Sequence, residues 1–110
     1  MSKSNALEYT EYFILLALAD GPAHGQAVAD QIIGDSVGGV YLRPSTLYAA
    51  LKNLERREFI IQSSVAEAAN GHVYKRVYKL TETGQRRLAD LARMHERAAR
   101  LAKARLGLRY

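Results

Sequence analysis

The sequence predicts a small α+β domain, mostly α. Three segments with helical spacing of apolar residues come first. Two β-rich segments separated by Asn70-Gly71 follow, and a long segment with apolar residues every three or four positions closes the chain. At 110 residues this is one domain rather than two. A content of 48% apolar and 25% charged residues suits a globular chain and argues against disorder. The absence of cysteine excludes disulfides, thiolate zinc sites and thiol nucleophiles, and it suits a reducing compartment. No stretch approaches the ~18 uninterrupted apolar residues of a membrane span.

Asn5 and Glu8 have the spacing of a capping box, which predicts a first helix over about residues 6–19. Its stretch Tyr12 to Ala19 is apolar nearly all round, so the helix should lie centrally. A secretory signal would need a basic leader, whereas Glu8 and Glu11 precede this run. Asp20-Gly21-Pro22 stops the helix. A second helix is predicted over 24–33, with Val28 and Ile32 on one face and His24 ordering its start through a hydrogen bond. Pro44 suits the first turn of a third helix, whose buried stripe is Leu47, Leu51 and Leu54.

Residues 59–65 and 73–80 have the composition of strands, and Asn70-Gly71 favours a tight hairpin because both residues tolerate positive φ. A two-residue turn there places Ile61 opposite Leu80, Gln62 opposite Lys79, Ser63 opposite Tyr78 and Ser64 opposite Val77. Tyr78 and Leu80 are expected in the core, and the hairpin tip should project. Thr81 is the expected cap of a final helix over 82–105, with Glu82 in its first turn.

This order of elements is the winged helix-turn-helix plan with a C-terminal dimerisation helix. Residues 1–81 form the winged region, and residues 82–110 form the dimerisation helix of the same compact domain. Charge supports a polyanionic partner. The chain carries +5 at pH 7, unevenly spread. Lys3 against Glu8, Glu11, Asp20, Asp30 and Asp35 leaves −4 over residues 1–42, and the other fifteen basic and six acidic groups leave +9 beyond. Once the leucine stripe is removed from the third helix, Ser45, Tyr48, Ala49, Lys52 and Arg56 share its outer side. Ser45 and Thr46 at the helix start suit phosphates, and Tyr48 and Lys52 are long enough for base edges or backbone. Asn53 is a further, less well placed, adenine reader. On the wing, Lys75, Arg76 and Lys79 are expected phosphate contacts and His72 a minor-groove contact.

The stretch 44–60 resembles the recognition helix of PadR-type transcriptional regulators, with its Pro-x-Thr-Leu-Tyr start and Leu-x-x-Leu-Glu middle. Residues 75–84 are similar to that family's passage from wing to helix, a basic pair followed by Tyr-x-Leu-Thr-x-x-Gly. Gly21-Pro22-Ala23-His24-Gly25 matches its start of the second helix. Gln26 stands where the family carries an aromatic, and Glu58 where it carries glycine. The resemblance covers about residues 12–88 and is to the short, single-domain members. It implies a cytoplasmic homodimeric repressor that binds a double-stranded DNA operator of two-fold symmetry, with a small aromatic effector and no cofactor.

The apolar stripe of the terminal helix should have little left to cover within its own chain. Leu88, Leu91, Met94, His95, Ala98, Leu101 and Ala102 are therefore expected at a homodimer interface, with Leu7, Tyr12 and Leu15 of the first helix. The terminal helix has no aromatic residue for stacking a ligand, so Tyr9, Tyr12 and Phe13 are the candidate effector-lining residues. His24, His72 and His95 fall on different elements, so no metal site is expected. No nucleophile elbow, phosphate loop or acid pair points to an enzyme. The competing readings are an architectural nucleic-acid-binding protein and a winged helix that meets a protein.

Overall fold

The computed structural model describes residues 2–67 and 74–107, with side chains over 9–62 and 76–107. Four helices and three strands run in the order α1 (Ser2–Ala17), β1 (Ala23–His24), α2 (Gly25–Asp35), α3 (Pro44–Arg56), β2 (Ile60–Glu67), β3 (Tyr74–Leu80) and α4 (Glu82–Leu106). The sheet is antiparallel with order β1-β3-β2. This is the predicted mostly helical α+β winged helix-turn-helix.

The core forms where the helical stripes converge. Ile14, Leu15 and Leu18 of α1 meet Val28 and Ile32 of α2 and Leu47, Ala50, Leu51 and Leu54 of α3. Ile60, Tyr78 and Leu91 close it from the sheet and α4. Each buried leucine or isoleucine side chain contributes about 1.5–3 kcal/mol relative to exposure, so this cluster dominates the stability of the domain.

Two caps act as the sequence predicts. The Nδ1 of His24 accepts from the backbone N–H of Ala27 at 3.3 Å and so satisfies a first-turn donor of α2. The hydroxyl of Thr81 accepts from the N–H of Gly84 at 2.9 Å and donates to the carbonyl of Glu58 at 2.7 Å. The third expected cap is corrected. The first helix begins at Ser2, which places Asn5 inside it. Neither glycine nor proline stands between Ser2 and Asn5, so nothing breaks the helix there.

The hairpin register is also corrected. Ile60, not Ile61, pairs with Leu80, and Ile61, Gln62 and Ser63 pair with Lys79, Tyr78 and Val77. Between Ser63 and Ala66 one extra residue of β2 is absorbed, after which Ala66 pairs with Lys75 and Glu67 with Tyr74. The outer pairs follow the register that a turn at Asn70-Gly71 predicts, and the inner pairs do not. The core decides the inner register: Ile60 is fully buried while Ile61 is 44% exposed. Asn70-Gly71 itself lies outside the described residues. Strand β1, unforeseen in the sequence, is too short to leave a periodicity and forms by pairing Ala23 with Tyr78 and His24 with Val77.

Candidate nucleic-acid interface

Helix α3 buries one side and presents the other. Pro44 at its first position has no N–H to satisfy, and Arg43 supplies no side-chain cap, so the Ser45 and Thr46 hydroxyls stand at the positive end of the helix dipole. Ser45, Thr46, Tyr48, Ala49, Lys52 and Arg56 are all exposed. Their spacing puts Ser45, Ala49, Lys52 and Arg56 along the centre of the outer face, with Tyr48 on one flank and Thr46 on the other. On the Thr46 flank, Thr10, Thr46, Asn53 and Arg56 line a groove of about 450 Å³ between α1 and α3. On the opposite flank, a groove of about 230 Å³ between α3 and the wing is lined by Tyr48, Lys52, Glu55, Gln62, Arg76 and Tyr78.

Tyr48 has two roles to reconcile. Its ring is half exposed, yet its hydroxyl lies over the start of α2, where a Cβ on Gly25 would come within 2.4 Å of it. Gly25 is thus the residue that lets the tyrosine lie down against α2.

The wing cations are not all brought together. Arg76 shares the α3-facing side of β3 with Tyr78 and reaches the groove beside Lys52. Lys79 lies on the opposite side, next to Asp20, Pro22 and Gln85. This follows from strand alternation, since an odd separation puts two residues on opposite faces. Lys75 of β3 pairs with Ala66 of β2, but its side chain is outside the described residues, as is the whole of His72.

A buried ion pair behind α3 was not found by sequence reasoning. Glu11 is 3% exposed and receives Nη1 of Arg57 at 3.2 Å and Nε of Arg87 at 2.5 Å. Both guanidinium groups also lie over the Phe59 ring, at 4.8 and 5.9 Å. Glu11 thereby joins α1, the end of α3 and α4. The available signal was a carboxylate three and four residues before Ile14 and Leu15, on the buried face of an apolar helix.

The residues expected at a dimer interface divide. Leu15 is fully buried and Leu91 is 2% exposed, both within the protomer's own core. Leu88 is half-buried against that core, and His95 stacks on Tyr12 of the same chain with centroids 4.3 Å apart. The expectation that the stripe has little to cover in its own chain is therefore corrected for its first half. An α1 that is apolar nearly all round needs cover on this side too. Farther along α4, Met94 is 52% exposed, Ala98 and Ala102 are exposed, and Leu101 is half-buried. Leu7 lies in α1, with its side chain outside the described residues. The candidate effector residues form one cluster: Tyr9 packs edge-on to Phe13 at 5.3 Å, and Tyr12 to Phe13 at 5.6 Å.

This is the framework of a winged-helix transcriptional regulator. Residues 14–90 match the family model described as "Transcriptional regulator PadR-like family", and the chain belongs to that family. Its members are regulators rather than enzymes. The fold is similar to that of a transcriptional regulator from Clostridium thermocellum, with a TM-score of 0.75, 19% identity, and coverage of 94% of this chain and 96% of that one. It is similar to a PadR family transcription regulator from Clostridium difficile, with a TM-score of 0.71, 21% identity, and coverage of 89% and 97%. It also resembles Bacillus subtilis PadR, solved in complex with operator DNA, with a TM-score of 0.64, 24% identity, and coverage of 74% of this chain and 45% of that one. A 50-residue stretch is 42% identical to an uncharacterized 37.1 kDa protein of a Streptomyces fradiae transposon. That stretch spans 46% of this chain and 14% of the curated relative. Among the described residues no helix is long and apolar enough to cross a membrane.

Proposed function

We propose that this protein is a sequence-specific, homodimeric DNA-binding repressor of a palindromic operator. The observation that carries the reading is the outer face of α3, where Ser45, Ala49, Lys52 and Arg56 stand exposed in one line with Arg76 across the groove. A helix with small residues at its start and cations beyond fits the major groove, and Arg76 beside it fits a phosphate. Bacillus subtilis PadR, similar in fold, was solved on operator DNA. In this reading Lys75 adds a phosphate contact and His72 reaches the minor groove. Lys79 contributes only to the general positive potential. A protein acting on DNA in this way works in the cytoplasm.

The outward-facing part of the α4 stripe, Met94 with Ala98, Leu101 and Ala102 beyond it, joins two copies, with Tyr12 and Leu88 at its edge. Small alanines let two helices approach closely. The aromatic cluster of Tyr9, Tyr12 and Phe13 is the place for a small aromatic effector, whose binding would release the operator.

Selection of bound duplexes from a random pool, followed by footprinting, tests the reading. Two half-sites about one helical turn apart, roughly 34 Å, are expected. Binding should fall steeply with salt as phosphate contacts release counterions. Selection of no common sequence points instead to an architectural binder, and absence of any duplex binding to a protein partner for α3.

A further inference from the structure

Helix α3 has a groove on each flank, and both border the line of Ser45, Ala49, Lys52 and Arg56. The groove toward the wing touches that line at Lys52, and the groove toward α1 touches it at Ser45, Ala49 and Arg56. Both grooves therefore open on the side that α3 presents outward. A helix with its side chains is about 10–12 Å across, close to the ~12 Å width of the DNA major groove, so a helix lying there has one sugar-phosphate backbone along each side. Those two backbones belong to opposite strands. On the wing side Arg76 meets one of them. The groove on the α1 side is the larger, at about 450 Å³, and among the described residues its lining holds no carboxylate. It holds the hydroxyl residues Thr10, Ser45 and Thr46 together with Arg56, all of them able to donate to a phosphate oxygen. The wing groove, by contrast, includes Glu55. Arg56 is exposed and, among the described residues, pairs with no carboxylate. Thr10 is half-buried and comes from α1, outside the recognition helix and the wing.

Resting on the recognition role proposed for α3, we infer that the α1–α3 groove seats the phosphate backbone of the second DNA strand, and that Thr10 of the first helix is a phosphate contact there beside Arg56. The interface thereby extends to α1, whereas the sequence reading confined it to α3 and the wing. Contact on one flank alone leaves a helix free to roll about its axis in the major groove. Arg76 on one strand and Thr10 with Arg56 on the other bracket α3, and the side chains along its centre line are then held over the base edges.

The test uses the full chain on the operator that it selects, with duplexes that each carry one neutral methylphosphonate link. Thr10→Val should weaken binding about three- to tenfold, the size of one hydrogen bond, with base preference unaltered. Thr10→Arg should tighten binding and steepen the salt slope by about one, and Thr10→Glu should change both in the opposite direction. The gain from Thr10→Arg should vanish when one particular phosphate is neutralised. That phosphate should lie on the strand opposite to the one whose neutralisation cancels the loss from Arg76→Ala. Thermal midpoints of each variant separate folding from contact, and a gain in affinity cannot come from a folding defect. If the charge changes at Thr10 leave affinity and salt slope as in the parent, the inference is overturned while the operator reading stands. The same follows if the phosphates coupled to Thr10 and to Arg76 fall on one strand. A parent chain that selects no common duplex overturns both.

Discussion

The two halves of α4 carry the same kind of amphipathic pattern and meet different fates. From Gly84 to His95 the helix is fastened to its own domain. Thr81 caps it and holds the Glu58 carbonyl, Gly84 sits against the Phe59 carbonyl, Arg87 pairs with Glu11, Leu91 is in the core and His95 stacks on Tyr12. From Glu96 to Leu106 the polar links are short-range pairs such as Arg100–Glu96, and the apolar residues Ala98, Ala102 and Leu106 face outward. The helix is 25 residues, or about 37 Å, long. Amphipathicity shows which side of a helix wants cover. It does not show what covers it.

Aspartates placed in the two halves should separate them most sharply. Leu91→Asp buries a carboxylate in the core and removes an apolar side chain, at a cost of roughly 4 kcal/mol or more, a large share of the stability of a small domain. The expected result is loss of the cooperative unfolding transition in circular dichroism. Leu101→Asp should leave that transition in place for the protomer but shift sedimentation from dimer to monomer, with operator affinity falling as the two half-sites lose their linkage. If Leu91→Asp folds normally, or Leu101→Asp remains a dimer, the division drawn here is in the wrong place.

A methyl group sharpens the comparison at the first turn. A Cβ on Gly84 would come within 1.9 Å of the Phe59 carbonyl oxygen, so the backbone must move. Gly84→Ala is expected to cost about 1–3 kcal/mol in urea denaturation, despite the better helix propensity of alanine. Removing one aromatic contact comes next. His95→Ala should lose about 0.5–1.5 kcal/mol from the stack on Tyr12 and leave the C-terminal half unaffected. The smallest expected effect has the opposite sign. Glu58 adopts φ of +66° at the point where Thr81 holds it, a region that costs a non-glycine residue about 1–2 kcal/mol. Glu58→Gly should therefore raise the urea midpoint by the equivalent of about 1 kcal/mol or less, after the added freedom of the unfolded chain is subtracted.

Much of the layout of the candidate site was legible in advance because its signals are local. The third helix could be read residue by residue, since a leucine stripe on one side dictates which side chains remain on the other, and all six expected contacts on it are exposed. His24 and Thr81 announced themselves as caps by residue type and position. Glu58 itself takes a positive φ, the backbone conformation that favours glycine. Glu11 was not legible, because a buried carboxylate depends on partners 46 and 76 residues away. Strand alternation already sets Arg76 and Lys79 on opposite faces; which of the two meets α3 was not legible, because that depends on register.

The sequence by itself determined the order of the four helices and the two longer strands, the buried stripe and outer face of the third helix, the two caps and the basic surplus of the second half. These depend on residues within a few positions of one another, where periodicity, φ preference and side-chain chemistry act directly. Tertiary structure alone decided that Ile60 rather than Ile61 enters the core, and that β2 absorbs one extra residue between Ser63 and Ala66. It also decided that α4 spends half of its apolar stripe on α1. Each of these is a competition for one site between groups distant in the chain. The winner is set by how much surface and how many hydrogen bonds the whole domain satisfies, which no local pattern records.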